Sequence, residues 1–94
     1  MHDQHISHKA KDSLIQIKID AFGAIERQLP HDLALEFESD VLIADVLEYV
    51  MRAYPEASPL LDRCACAIGE DIIPRQHVLN TDTTLVLLSP VAGG

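Results

Sequence analysis

One long stretch of this chain has helical periodicity, and the other patterned stretches alternate. Ile43, Val46, Leu47, Val50, Met51 and Tyr54 recur at i, i+3, i+4, i+7, i+8 and i+11, which puts them on one stripe of a helix. Asp45 falls in the first turn, where it complements the helix dipole. Glu48 can pair with Arg52 at i+4, and Pro55 ends the helix. Ser39 and Asp40 are the expected capping side chains. A lone helix with one apolar stripe has to lie on an apolar surface, and the flanking segments have to build it as a sheet.

Their patterning fits that demand. In residues 13–22, Ile15, Ile17, Ile19 and Ala21 alternate with Leu14, Gln16, Lys18 and Asp20 up to Phe22, as in a half-buried strand. Residues 23–30 are a connection. Leu33, Leu35 and Phe37 then alternate with Ala34, Glu36 and Glu38 as a second strand, forming a hairpin with a long loop. After the helix, Ser58-Pro59 opens a short turn or helix through Asp62. Residues 63–68 read as a third strand, Gly69-Glu70-Asp71 as a turn, and Ile72-Ile73 as a brief edge strand stopped by Pro74. Residues 80–83 are a further turn. Residues 84–89 form the last strand, whose run Leu85-Val86-Leu87-Leu88 suits a central position. The order β-β-α-turn-β-β-β is an α+β layout of two layers, with the last strand beside the first.

The 94 residues suffice for one domain, and at 48% hydrophobic they can bury a core. With two Phe, two Tyr and no Trp, that core is aliphatic. A formal charge of −8 leaves no basic stripe for nucleic acid and favours docking to basic protein surfaces. No apolar run approaches the roughly 18–20 residues of a membrane span, and residues 1–12 lack the apolar region of a signal peptide. The expected location is cytoplasmic. The polar leader, residues 1–12, carries His2, His5 and His8 but nothing apolar to hold a helix, so it is expected to be disordered.

Cys64 and Cys66 alternate with Ala65 and Ala67, as small core residues on a strand do. Two cysteines supply half of a zinc site, and no metal site is expected. His31 and His77 fall near turns, and no nucleophile–base arrangement is legible around them.

The sequence closes on Pro90-Val91-Ala92-Gly93-Gly94. Two glycines in succession there, at about 7% average usage, are about a one-in-two-hundred coincidence. Neither carries a Cβ, so the last peptide can enter a narrow channel and expose its carbonyl carbon. Residues 89–94 can extend roughly 20 Å at about 3.3–3.6 Å each. Residues 90–94 are therefore expected to be a flexible tail on a domain of residues 13–89.

These features together resemble the β-grasp sulfur carriers, the ubiquitin-like proteins of molybdenum-cofactor and thiamine synthesis, and look most like the small subunit of molybdopterin synthase. The resemblance rests on residues 17–29 (IKIDAFGAIERQL), on residues 43–63 with Ala53-Tyr54-Pro55 and Leu60-Leu61, and on the Pro-Val-x-Gly-Gly ending. The segment Cys66-Ala67-Ile68-Gly69-Glu70-Asp71-Ile72-Ile73-Pro74-Arg75 resembles one shared with the thiamine-type carriers, which are usually shorter where this chain has residues 56–62. The chain departs from the pattern at Leu87 and Leu88, where the family often has aromatics. Ser89 stands in place of a second proline, and Thr81-Asp82-Thr83 in place of an Asp-Gly-Asp run.

The resemblance implies a ubiquitin-like β-grasp, a mixed sheet of about four to five strands on one main helix. It implies that the chain is no enzyme by itself but a protein co-substrate, with no bound cofactor. A ubiquitin-activating-type enzyme would use ATP to adenylate the Gly94 carboxylate, with Gly93 beside it. A sulfur donor acting through that step would leave a thiocarboxylate on Gly94. The larger molybdopterin synthase subunit would then receive the tail. Leu87, Leu88, Pro90, Val91 and Ala92 are the expected partner contacts, with whichever leucine points outward supplying the apolar one. The alternatives are a carrier for thiamine or another sulfur-containing metabolite, and a ubiquitin-like interaction or modifier domain that is never thiolated.

Overall fold

The computed structural model describes residues 14–90. Strand β1 (Leu14–Phe22) runs into a 3-10 turn (Gly23–Gln28), and β2 (Ala34–Glu38) returns antiparallel beside it, Leu14 opposite Glu38 and Lys18 opposite Ala34. A short strand β3 (Val41–Leu42) leads into helix α1 (Ile43–Ala53). A second 3-10 turn (Pro55–Ala57) and the one-turn helix α2 (Ser58–Leu61) follow. The chain then forms β4 (Ala65–Ile68), β5 (Asp71–Ile73), β6 (Val78–Leu79) and β7 (Thr83–Leu88). The main sheet has the order β2-β1-β7-β4-β5, and β3 and β6 pair separately. The last strand lies between β1, to which it is parallel, and β4, to which it is antiparallel. This is the five-stranded mixed sheet and single main helix of a ubiquitin-like β-grasp.

Alternation along the strands sends one set of side chains to the helix. Ile15, Ile17 and Ile19 of β1, Leu85 and Leu87 of β7, and Cys66 of β4 are buried there against Ile43, Val46, Leu47 and Val50 of α1. Ile25, Leu29, Leu33, Ala57, Leu61 and Leu79 close the sides of the same core. Its fully buried side chains are aliphatic; Phe37 is half-buried at the margin, edge-on to Tyr49 with centroids 5.6 Å apart. Glu48 and Arg52 pair at 2.9 Å, but with side chains 59% and 80% exposed the pair adds little.

The entry to α1 differs from the expectation. Leu42 is the N-cap residue and no side chain caps the helix. Asp40 instead takes a left-handed conformation, φ 67°, in the turn that separates β2 from β3. The amides at the helix start find backbone partners on the segment before β6: Ile43 N–H donates to His77 O at 3.0 Å and Ala44 N–H to Arg75 O at 2.9 Å. Two of the orphan donors of the first turn are thus satisfied by tertiary contact in place of a capping side chain. Strand β6 itself was not legible, because two residues are too few to alternate.

Smaller boundary shifts follow from hydrogen bonding. The third strand starts at Ala65, two residues late, because residues 63 and 64 close off α2: Arg63 N–H donates to Leu60 O and Cys64 Sγ to Leu61 O. Arg75 holds the same corner, its Nη2 donating to Leu61 O and Cys64 O at 2.8 Å each. Asp71 belongs to β5, since Gly69 (φ 61°) and Glu70 alone make the turn. The last strand is Thr83–Leu88, one residue earlier than expected at both ends.

Burial of the α1 stripe predicts the response to mutation. Leu47, 1% exposed, should cost about 2–5 kcal/mol of unfolding free energy when changed to Ala. Ile72→Ala, at a site 66% exposed, should stay within about 0.5 kcal/mol of the parent. Urea denaturation of both variants checks the contrast, and equal losses would contradict the assigned core.

Candidate functional site

β7 ends where the tail begins, and its alternation sorts the two leucines. Leu87 is fully buried, opposite Cys66 on one neighbouring strand and Ala21 on the other. Leu88 points to the outer face and is 37% exposed. The expected contact at Leu87 is therefore corrected, because its side chain belongs to the core; Leu88 is the outward leucine. Pro90 is exposed. Val91, Ala92, Gly93 and Gly94 lie outside the described residues, as does the leader.

Pairing across the sheet assembles an apolar stripe around Leu88. Phe22, 48% exposed, is the β1 partner of Leu88, and Ala65 is its β4 partner. Two residues along, Val86 pairs with Ala67, and Ala67 with Ile72 on the edge strand. The outer face thus carries a stripe from Phe22 to Ile72 beside the end of β7. On that face Asp20 of β1 stands opposite Val86, and Lys18 follows two residues along. Phe22 and Ile72 were missed as site residues. The signal was present for Phe22, an aromatic closing an alternating strand on its polar face, but only the parallel register places it beside Leu88.

The remaining features do not converge on chemistry. A shallow depression of about 330 Å³ lined by Gln16, Lys18, Asp82 and Thr84 lies at the opposite end of β1 and β7, where Asp82 accepts a hydrogen bond from Gln16 N–H at 2.8 Å. A groove of about 70 Å³ runs beside Phe22, between Asp20, Glu26, Pro30 and His31. Among the described residues no group of three or more His, Cys, Asp or Glu side chains is arranged to hold a metal. His31 and His77 are exposed.

Both cysteines are free and buried, Cys64 5% and Cys66 2% exposed. The Cys64 thiol donates to Leu61 O at 3.3 Å. Hydrogen bonding with the Cys66 sulfur, then burial and the charge that sulfur would carry, push the Cys64 thiol well above its ordinary range; Arg75 acts the other way. Cys64, buried and kept protonated, is a packing group and a poor nucleophile. The hydrogen bond from Cys64 lowers the Cys66 thiol to about 7, so that its 2% exposure is what shields that sulfur.

Comparison with known proteins agrees with this architecture. The ThiS family matches residues 21–94, most of the chain. The fold is similar to that of the HVO 2177 protein of Haloferax volcanii, with a TM-score of 0.72 and 14% identity over 87% of this chain and 89% of that one. It is also similar to SAMP1 from Haloferax volcanii, with a TM-score of 0.69 and 17% identity over 84% of this chain and 99% of that one. At these identities the likeness is one of fold. No curated protein matches.

The burial of both thiols sets an expectation for their reactivity. A disulfide reagent such as DTNB should label neither Cys64 nor Cys66 appreciably in native protein at neutral pH, and both on unfolding in urea. Rapid labelling of the native chain would contradict a packing role.

Proposed function

The chain belongs to the ThiS family, and from that premise we propose that it is a sulfur carrier, loaded as a thiocarboxylate on Gly94 and acting as the small subunit of molybdopterin synthase. The observation that carries the reading is the placement of the tail root. The Gly-Gly segment follows from the end of the central strand, at the margin of an exposed apolar stripe. A partner that docks on Phe22, Leu88 and Ile72 is within reach of the whole tail, since residues 90–94 extend at most about 17 Å at roughly 3.3–3.6 Å each.

The chemistry divides between carrier and partner. A carboxylate is a poor electrophile, and adenylation by an ATP-using activating enzyme gives the Gly94 carbonyl a leaving group. The outer sulfur of a partner's persulfide displaces AMP to give an acyl disulfide. A second thiol of the partner then attacks the S–S bond, forming a disulfide and releasing the thiocarboxylate. The resulting thiocarboxylate is ionised near neutral pH and is a soft nucleophile, able to deliver sulfur in a partner's pocket without free sulfide. Gly93 and Gly94 offer no side chain to obstruct that pocket. The acid–base groups and ATP-binding elements belong to the partners; the stripe suits a docking surface that is apolar at its centre, and a net charge of −8 favours one that is basic around it.

Residues 56–62 and the Pro-Val-x-Gly-Gly ending favour the molybdopterin branch. The first of these is no loose insertion: Ala57 and Leu61 are fully buried in the core. Stable copurification with a larger synthase subunit supports this branch, whereas copurification with a thiazole synthase would move the carrier to thiamine. Recovery of Gly94 as an amide on lysine would make it a modifier.

Two variants test the carrier reading with the cognate activating enzyme. ATP–pyrophosphate exchange should depend on the chain and vanish when Gly94 is deleted, with the melting temperature unchanged; full exchange with the deleted chain would refute it. Phe22→Asp combined with Leu88→Asp should raise the KM for the carrier by about tenfold or more, as removal of an apolar anchor does. An unchanged KM would take the docking surface off the stripe.

A further inference from the structure

Three polar atoms of Ser89, the residue between β7 and Pro90, are held by neighbours. Its N–H donates to Phe22 O at 3.1 Å. Its Oγ accepts from Ile25 N–H at 2.8 Å and lies 3.4 Å from Phe22 O. Its carbonyl oxygen packs on Gly23, where an added Cβ would stand 1.9 Å from that oxygen. Gly23 also has φ 89°, a conformation that side chains disfavour. Among the described residues Ser89 is the one polar residue at a buried position, 9% exposed.

We propose that Ser89 and Gly23 form a positioning clamp that fixes the root of the tail and thereby orients the Gly94 carboxylate for activation. The inference rests on the sulfur-carrier reading. β7 loses its ladder to β1 after Phe22 opposite Leu88, so without Ser89 the chain would become free one residue earlier. The clamp instead ties it to the 3-10 turn, which is anchored by the fully buried Ile25. Proline, the family's usual residue at this point, has neither the N–H that reaches Phe22 O nor the hydroxyl that satisfies Ile25 N–H. Where proline stiffens the root through its own ring, this chain does so by tertiary hydrogen bonds. A shorter free segment confines the carboxylate to a smaller volume, which raises its effective concentration at a docked active site.

The role differs from docking, and kinetics separate the two. Ser89→Ala removes one oxygen and strands the Ile25 amide; Ser89→Thr keeps the hydroxyl. Hydrogen exchange at Ile25 N–H should accelerate by about tenfold or more in the Ala variant and return toward the parent rate in the Thr variant. In ATP–pyrophosphate exchange below the melting temperature, Ser89→Ala should lower kcat by about three- to tenfold. The KM for the carrier should stay within about twofold, and Thr should restore kcat. Gly23→Ala should follow Ser89→Ala if it folds. An unchanged Ile25 exchange rate, an unchanged kcat, or a loss confined to KM would each overturn the clamp. A parent chain that is never adenylated would instead refute the carrier reading, and this role with it.

Discussion

The parallel pairing of β1 with β7 is the contact on which the rest of this structure depends. It joins the first described segment to the last through six register pairs, from Ile17 opposite Thr83 to Phe22 opposite Leu88. Two parallel neighbours need a connection that crosses the sheet, and α1 lies on that crossing. Because both strands start their alternation on the same face, Ile17, Ile19, Leu85 and Leu87 meet α1 while Phe22, Val86 and Leu88 remain outside. One ladder therefore builds the core and displays the exposed apolar stripe. It also brings both strands to an end together, so the tail root sits beside the 3-10 turn that follows β1.

Much of this was legible in the sequence because the long elements carry strong periodicity. The alternation of Ile15, Ile17 and Ile19 and the stripe of Ile43, Val46, Leu47 and Val50 identified both faces of the core, and the apolar run at Leu85 to Leu88 pointed to a central strand. What could not be read was set by tertiary pairing. The ladder between Val41-Leu42 and Val78-Leu79 is too short to leave a pattern, and backbone partners beside it take two of the first-turn amides for which Ser39 and Asp40 suggested a cap. The site was legible in part. The tail motif stands in the sequence, but the choice between Leu87 and Leu88 depends on strand parity, and the neighbourhood of Phe22, Leu88 and Ile72 on register across three strands. Ser89 looked like the end of a strand; its hydroxyl's partner, Ile25, is remote in sequence.

The division of labour follows from the composition. Among the described residues the core is aliphatic, and both thiols are buried in it. The proposed role therefore uses the exposed apolar stripe and the Gly-Gly segment of the sequence. A net charge of −8 would speed encounter with a basic partner and discourage self-association.

The most direct test of the account is the intact mass of the protein isolated from the cell that makes it, without alkylation or prolonged exposure to acid. The account predicts a population heavier than the encoded chain by the replacement of one oxygen with sulfur, located by fragmentation to Gly94 and increased by the activating enzyme with ATP and a sulfur donor. A Gly94 found only as the free carboxylate under those conditions, or joined to lysine, would contradict it.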